Sequence, residues 1–150
     1  MARDDSMKLT DHQIRALIDD RYIERGRAYL KARQLELTDI TPDRVTAKCA
    51  GTRIYTVTLN LKNRRLSGTC TCPAVDEFGP CKHMAATALA VQARSVSGYA
   101  PSEAFQQRKA QTSKIERQLL RMSKTELVDL IMEMVPDEEA LAYWLTDEIE

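Results

Sequence analysis

Residues 54–83 read IYTVTLNLKNRRLSGTCTCPAVDEFGPCKH. From Ile54 to Leu61 the side chains alternate between β-branched, aromatic or apolar and polar, the period-two pattern of a half-buried strand. Lys62-Asn63-Arg64 offers a tight turn, and Arg65 to Cys72 reads as a returning strand that Pro73 ends. Residues 74–80 read as a loop closing on Gly79-Pro80, and from about Cys81 or Lys82 an alanine-rich helix runs to about Arg94. A strand ending Cys-Thr-Cys is therefore joined to a helix beginning Cys-Lys-His, and that joint decides the fold.

Three thiols and one imidazole, Cys70, Cys72, Cys81 and His83, fall within fourteen residues. Sulfur and nitrogen in that number make a complete tetrahedral set for Zn²⁺. In a strand, residues two apart share a face, so Cys70 and Cys72 can grip one ion. In a helix, residues two apart diverge by about 200°. Cys81 should therefore precede the first turn while His83 lies inside it, with Gly79-Pro80 supplying the bend. A helix N-terminus beside Cys81 favours its thiolate. Three thiolates and a neutral imidazole leave the site at −1, and Lys82, between two ligands, can offset that charge. Without metal, the same residues read as buried reduced cysteines and a surface histidine. A closed four-ligand set disfavours catalytic zinc, which keeps one position open for water. The deaminase pattern of His-x-Glu with Cys-x-x-Cys is also absent. Cys49, outside the cluster, reads as an inward-facing strand residue.

Upstream, Thr10 and Gln13 have the spacing of a capping box before the stripe Ile14, Leu17 and Ile18. Helical character continues to residue 34, with the stretch from Tyr22 either continuing the first helix or beginning after a kink at Asp19-Asp20. Leu37–Ile40 and Arg44–Cys49 read as short strands with turns at Pro42-Asp43 and Gly51-Thr52, so an antiparallel meander follows the helices. Downstream, residues 95–114 read as a linker, rich in Ser and Gln. Residues 115–150 read as a helical segment: Ile115, Leu119 and Met122 form a stripe, Ser123 and Glu126 a second capping box, and Leu141, Trp144 and Leu145 an apolar face. The fold class expected is α+β, with residues 1–94 as the zinc-bearing domain.

The chain has 150 residues, of which 22 are basic and 22 acidic. At 43% hydrophobic and 29% charged it is neither a disordered tail nor a membrane protein. Its longest near-apolar run, 84–93, is about half of a bilayer span. Residues 1–5 lack the apolar stretch of a signal peptide, so a reducing, cytoplasmic location is expected, where thiols or metal ligands are favoured over disulfides. Charge is unevenly spread. Residues 1–66 carry 14 basic and 9 acidic groups, whereas residues 111–150 carry 4 and 10. A uniformly basic nucleic-acid binder is excluded; a basic front and an acidic rear remain.

Cys70-Thr71-Cys72-Pro73 followed by Cys81-Lys82-His83-Met84-Ala85-Ala86 resembles the SWIM-type zinc finger, whose pattern is Cys-x-Cys, a variable gap, then Cys-x-His opening a helix rich in Ala and Leu. Gly26-Arg27-Ala28-Tyr29 and Ala47 to Val57 resemble the landmarks that precede the finger in bacterial members. Cys49 departs from the β-branched residue common there, which bears on packing and not on zinc. Residues 120–145 resemble the helical segment that often follows the finger. The resemblance implies zinc held by Cys70, Cys72, Cys81 and His83. Such fingers occur in Swi/Snf-type ATPases, transposases and recombination accessory proteins, and are thought to bind DNA or proteins.

Two functions are therefore expected to compete. The first is an accessory module contacting DNA or RNA, with Arg53, Lys62, Arg64 and Arg65 on hairpin tips and Lys82 at the finger as phosphate contacts. The second is a pure protein adaptor, docking through Leu141, Trp144 and Leu145 onto a protein partner such as an ATPase of a larger complex. No enzymatic activity is expected, since the chain has neither a P-loop nor a His-Glu-x-x-His motif. No membrane and no small-molecule substrate is expected as partner.

Overall fold

The computed structural model of the chain describes residues 6–96, 98–135 and 137–147, with the side chains of 144, 146 and 147 left aside. Its described residues form two compact units, Met1–Lys109 and Ala110–Glu150. The fold is mixed α+β.

In the first unit, α1 (Asp11–Leu17) opens with the capping box the sequence announces: Gln13 N–H donates to Thr10 Oγ1, and Thr10 N–H donates to the Gln13 side chain. Of the two alternatives at 19–20, continuation is ruled out: the helix breaks there. Asp19 stops being helical and caps α2 (Asp20–Ala32), accepting from Arg21 N–H. Arg33, in the left-handed region at φ 52°, ends α2.

Four strands follow, β1 (Leu35–Ile40), β2 (Arg44–Ala50), β3 (Ile54–Lys62) and β4 (Arg65–Cys70), in the order β1-β2-β3-β4 with every pair antiparallel. This is the expected meander. The β3–β4 turn is a two-residue loop closed by the Lys62–Arg65 pair. Asn63 and Arg64 both have positive φ, 51° and 64°, as a type I′ turn requires. Val45, Ala47, Cys49, Val57 and Leu59 alternate onto one buried face.

Across that face runs α4 (Lys82–Val96), with every residue from His83 to Val91 buried. Such a helix touches structure on all sides, and its alanines let neighbours come close. The closest is α2. A Cβ on Gly26 would lie 2.8 Å from both Ala85 Cβ and Ala86 N, so only glycine fits where α2 crosses α4. Between β4 and α4, residues 74–78 form a short helix, α3 (Ala74–Phe78), rather than the expected loop. Asp76 and Glu77 favour its N-terminal turn.

The linker expected over 95–114 is largely replaced by α5 (Glu103–Leu120). Ser102 caps it, accepting from Phe105 N–H, and Phe105 is buried. Tyr99 donates its hydroxyl to Leu35 O at 2.7 Å, Ser102 N–H bonds Arg33 O, and Lys109 pairs with Glu36 at 2.8 Å. Glutamines and serines made this stretch look loose, but one buried aromatic ring and a cap suffice to hold it.

In the second unit, α6 (Lys124–Met134) carries the second capping box, Ser123 with Glu126. Asp137 caps α7 (Glu138–Asp147) by accepting from Glu139 and Ala140. Among the described residues no helix is long and apolar enough to cross a membrane.

Candidate metal centre

Cys70 is the last residue of β4, and the ladder reaches one residue further. Thr71 N–H donates to Thr56 O, and Thr56 N–H donates to the Thr71 hydroxyl. Thr71 is thereby turned outward, and its neighbours Cys70 and Cys72 are directed to the same side. Cys81 stands just before α4 and accepts its first helical bond, from Ala85 N–H at 3.1 Å; His83 lies inside the first turn. The expected division, one ligand before the helix and one within it, is what the backbone adopts.

The ligand atoms of Cys70, Cys72, Cys81 and His83 all lie within 4.8 Å of one another. His83 Nδ1 is 3.8 Å from both Cys70 Sγ and Cys81 Sγ. A tetrahedron with Zn–S of about 2.3 Å and Zn–N of about 2.0 Å has edges of about 3.5–3.8 Å, so the donor set and its spacing fit Zn²⁺. Three cysteines and a histidine would hold the ion in a closed sphere whose role is structural.

The electrostatics point the same way. Cys81 is the group most readily held as thiolate. A hydrogen bond from Cys70, aided by His83 and by Met84 N–H, overrides burial and lowers it to about 4. Cys70 is correspondingly pushed up by its hydrogen bond to Cys81, and Cys72 is raised by burial. A cation at the centre relieves that mutual repulsion, since metal-bound thiols deprotonate.

The imidazole is walled by residues from outside the ligand stretch. Tyr29 of α2 meets it edge-on at 5.3 Å between ring centroids, and Tyr55 of β3 lies tilted at 5.1 Å. A Cβ on Gly51 would stand 2.5 Å from the Tyr55 ring and 3.3 Å from His83 Nε2, so any larger residue in the β2–β3 turn would displace the Tyr55 ring from the imidazole. Nε2 is buried and has no hydrogen-bond partner among the described residues. The ring is thus oriented by packing, with Nδ1 turned toward the sulfurs. Tyr29 and Tyr55 enter the sequence reading only as family landmarks; their place beside the imidazole depends on contacts 28 or more residues apart.

The SWIM zinc finger family model matches residues 55–92. This stretch is a SWIM zinc finger. No curated protein and no solved structure matches the chain. The match to the SWIM finger begins at Tyr55, in the strand that packs on the imidazole, and ends at Gln92, in the helix that carries it. Gly26 and Tyr29, which also shape the site, lie before the matched residues.

Cys49 lies outside the cluster, as expected. It is fully buried in β2, with its sulfur 3.7 Å from Thr87 Oγ1 and 3.9 Å from His83 O. Burial pushes its thiol up to about 12.

The five cations read as phosphate contacts do not form one surface. Lys62, Arg64 and Arg65 cluster at the β3–β4 turn, where Arg64 O accepts from Gln13 Nε2. Arg53, in the β2–β3 turn, and Lys82, at the start of α4, are at the metal end. The nine residues of β3 separate the two groups by about 25–30 Å. In the second unit Leu145 is exposed and Leu141 half-buried, while the Trp144 side chain lies outside the described residues.

Proposed function

We propose that this protein is a non-enzymatic, zinc-stapled module that contacts nucleic acid. The observation carrying this reading is the four-ligand cluster flanked by cationic residues: three sulfurs and one nitrogen face one another with no fifth His, Cys or carboxylate donor among the described residues, while Lys82 lies between two ligands and Arg53 sits in the turn whose Gly51 approaches the imidazole. Zinc here holds a sheet end to a helix start and so fixes where those cations project. Cations so placed beside the metal centre suit phosphate oxygens without base readout. The test is fluorescence anisotropy of the zinc-loaded protein against a labelled 20-base-pair duplex over a salt series. Affinity should fall with a log–log slope of about −0.9 per phosphate contacted. Absence of binding at low salt refutes the reading.

A second reading, a protein adaptor, is favoured by one observation. Val128, Ile131, Met132, Met134 and Leu145 of the acidic rear are exposed. Binding of a protein partner that survives nuclease and is lost on Trp144→Ala or Leu145→Ala supports it.

A further inference from the structure

Beside the metal centre lies an open groove of about 550 Å³, lined by Arg25, Tyr29, Gln34, Gly51, Lys82 and Arg108 with three alanines. None of its lining residues is acidic. Four elements converge on it: α2, the end of β2, the start of α4, and α5. We propose that this groove seats the phosphodiester backbone of a nucleic acid, with Arg25, Lys82 and Arg108 pairing with successive phosphates. The proposal rests on the nucleic-acid reading above and names where the strand lies.

Charge complementarity identifies the occupant. Arg25, Lys82 and Arg108 come from three different helices, yet none forms an ion pair among the described residues. Elsewhere the protein pairs such groups: Arg27 with Glu24, Arg21 with Asp19, Lys109 with Glu36. Lys82 and Arg108 are also half-buried, so three like charges border one hollow that has no acidic lining residue. Aromatic faces hold two of the cations in place. Lys82 Nζ lies 5.4 Å from the Tyr29 ring centre, and Arg25 lies 5.7 Å from that of Tyr22. The floor of alanines and Gly51 is low enough for a sugar–phosphate chain to lie close. The volume exceeds that of a lone phosphate and falls in the range of sites that take a nucleotide-sized group.

The groove and the metal centre share a wall, since Tyr29 and Gly51 line one and pack around His83 in the other. None of the groove arginines belongs to the matched finger, so this site is built on it by the surrounding chain.

The experiment compares three zinc-loaded full-length proteins in anisotropy titrations with a labelled 20-nucleotide single strand and with the matching duplex. These are wild type, Arg25→Glu with Arg108→Glu, and Arg64→Glu with Arg65→Glu, a charge-matched change at the far hairpin. The groove variant should bind at least about tenfold more weakly at 50 mM salt, with a salt slope shallower by about 2, while the hairpin variant changes little. If only the hairpin variant loses slope, the groove is wrong and the nucleic-acid reading survives. Equal losses in both overturn the groove, because net charge alone would then explain them. If wild type binds neither probe, both readings fall. Zinc content and melting temperature report folding; if the glutamate pair misfolds, Arg25→Gln with Arg108→Gln carries the same test.

Discussion

Gly26→Ala is the sharpest test of how the site is assembled. On an exposed helix this substitution stabilises by about 1 kcal/mol, since alanine is the better helix former. Here the new methyl group would stand 2.8 Å from Ala85 Cβ and from Ala86 N, and 3.0 Å from Ala85 C. Carbon pairs are comfortable at about 3.5–4.0 Å, so α2 and α4 must separate by about 1 Å. What the methyl meets is helix backbone, which cannot rotate away as a side-chain tip would. An overpacking cost at the upper end of the usual range, about 3 kcal/mol, is expected. Set against the propensity gain, the net loss is about 2 kcal/mol, or roughly 30-fold in the folded-to-unfolded ratio. Because α2 carries Tyr29 and α4 carries His83, the same displacement loosens the edge contact on the imidazole. Urea denaturation of the zinc-loaded protein measures the first effect, and competition with a chromogenic chelator the second. A variant as stable as wild type, or more stable, would show that the two helices do not meet through this glycine.

Chelation, Cys72→Ser or His83→Ala should open the β4–α4 joint and lower thermal stability sharply, because zinc binding in structural sites contributes on the order of 10–16 kcal/mol; an unchanged melting curve after verified metal removal refutes the structural role. Arg64→Gly should stabilise the protein by about 1 kcal/mol, since Arg64 holds φ 64° in the left-handed region, where glycine is unstrained; destabilisation in urea titration would contradict this. Cys49 should resist alkylation at pH 9 at least about a hundredfold more than a free thiol, because its ionisation is displaced upward to about 12. The raised thiol supports the fold fully below pH about 9, and that contribution fades as pH climbs toward 12. Rapid labelling of Cys49 in the intact zinc form would refute its burial.

Much of the architecture was legible because its signals are local. The alternation of Ile54–Leu61 made β3, the boxes at Thr10 and Ser123 made helix starts, and the ligand set lies within one short stretch. What escaped was non-local or weakly coded. Ser102 followed by Glu103 is a helix-start signal, yet the surrounding glutamines mask it, so residues 103–114 of α5 read as linker while its end, with Ile115 and Leu119, reads as helical. The short α3 has no side-chain cap to announce it. Arg25 and Arg108 are ordinary helix charges in sequence; only the crossing of α2, α4 and α5 brings them to one hollow. Conversely, Arg53 and the 62–65 cations look adjacent along the chain, but a strand's length divides them.

The ligands of the cluster span only Cys70 to His83, while the rings and the glycine around His83 arrive from Tyr29, Gly51 and Tyr55. Capture and retention of the ion are therefore separable events. A nascent chain that has just emerged past His83 already owns every donor it needs. Slow release must await the collapse of the remainder around the imidazole, so lesions in that surround should quicken metal loss while leaving uptake nearly untouched.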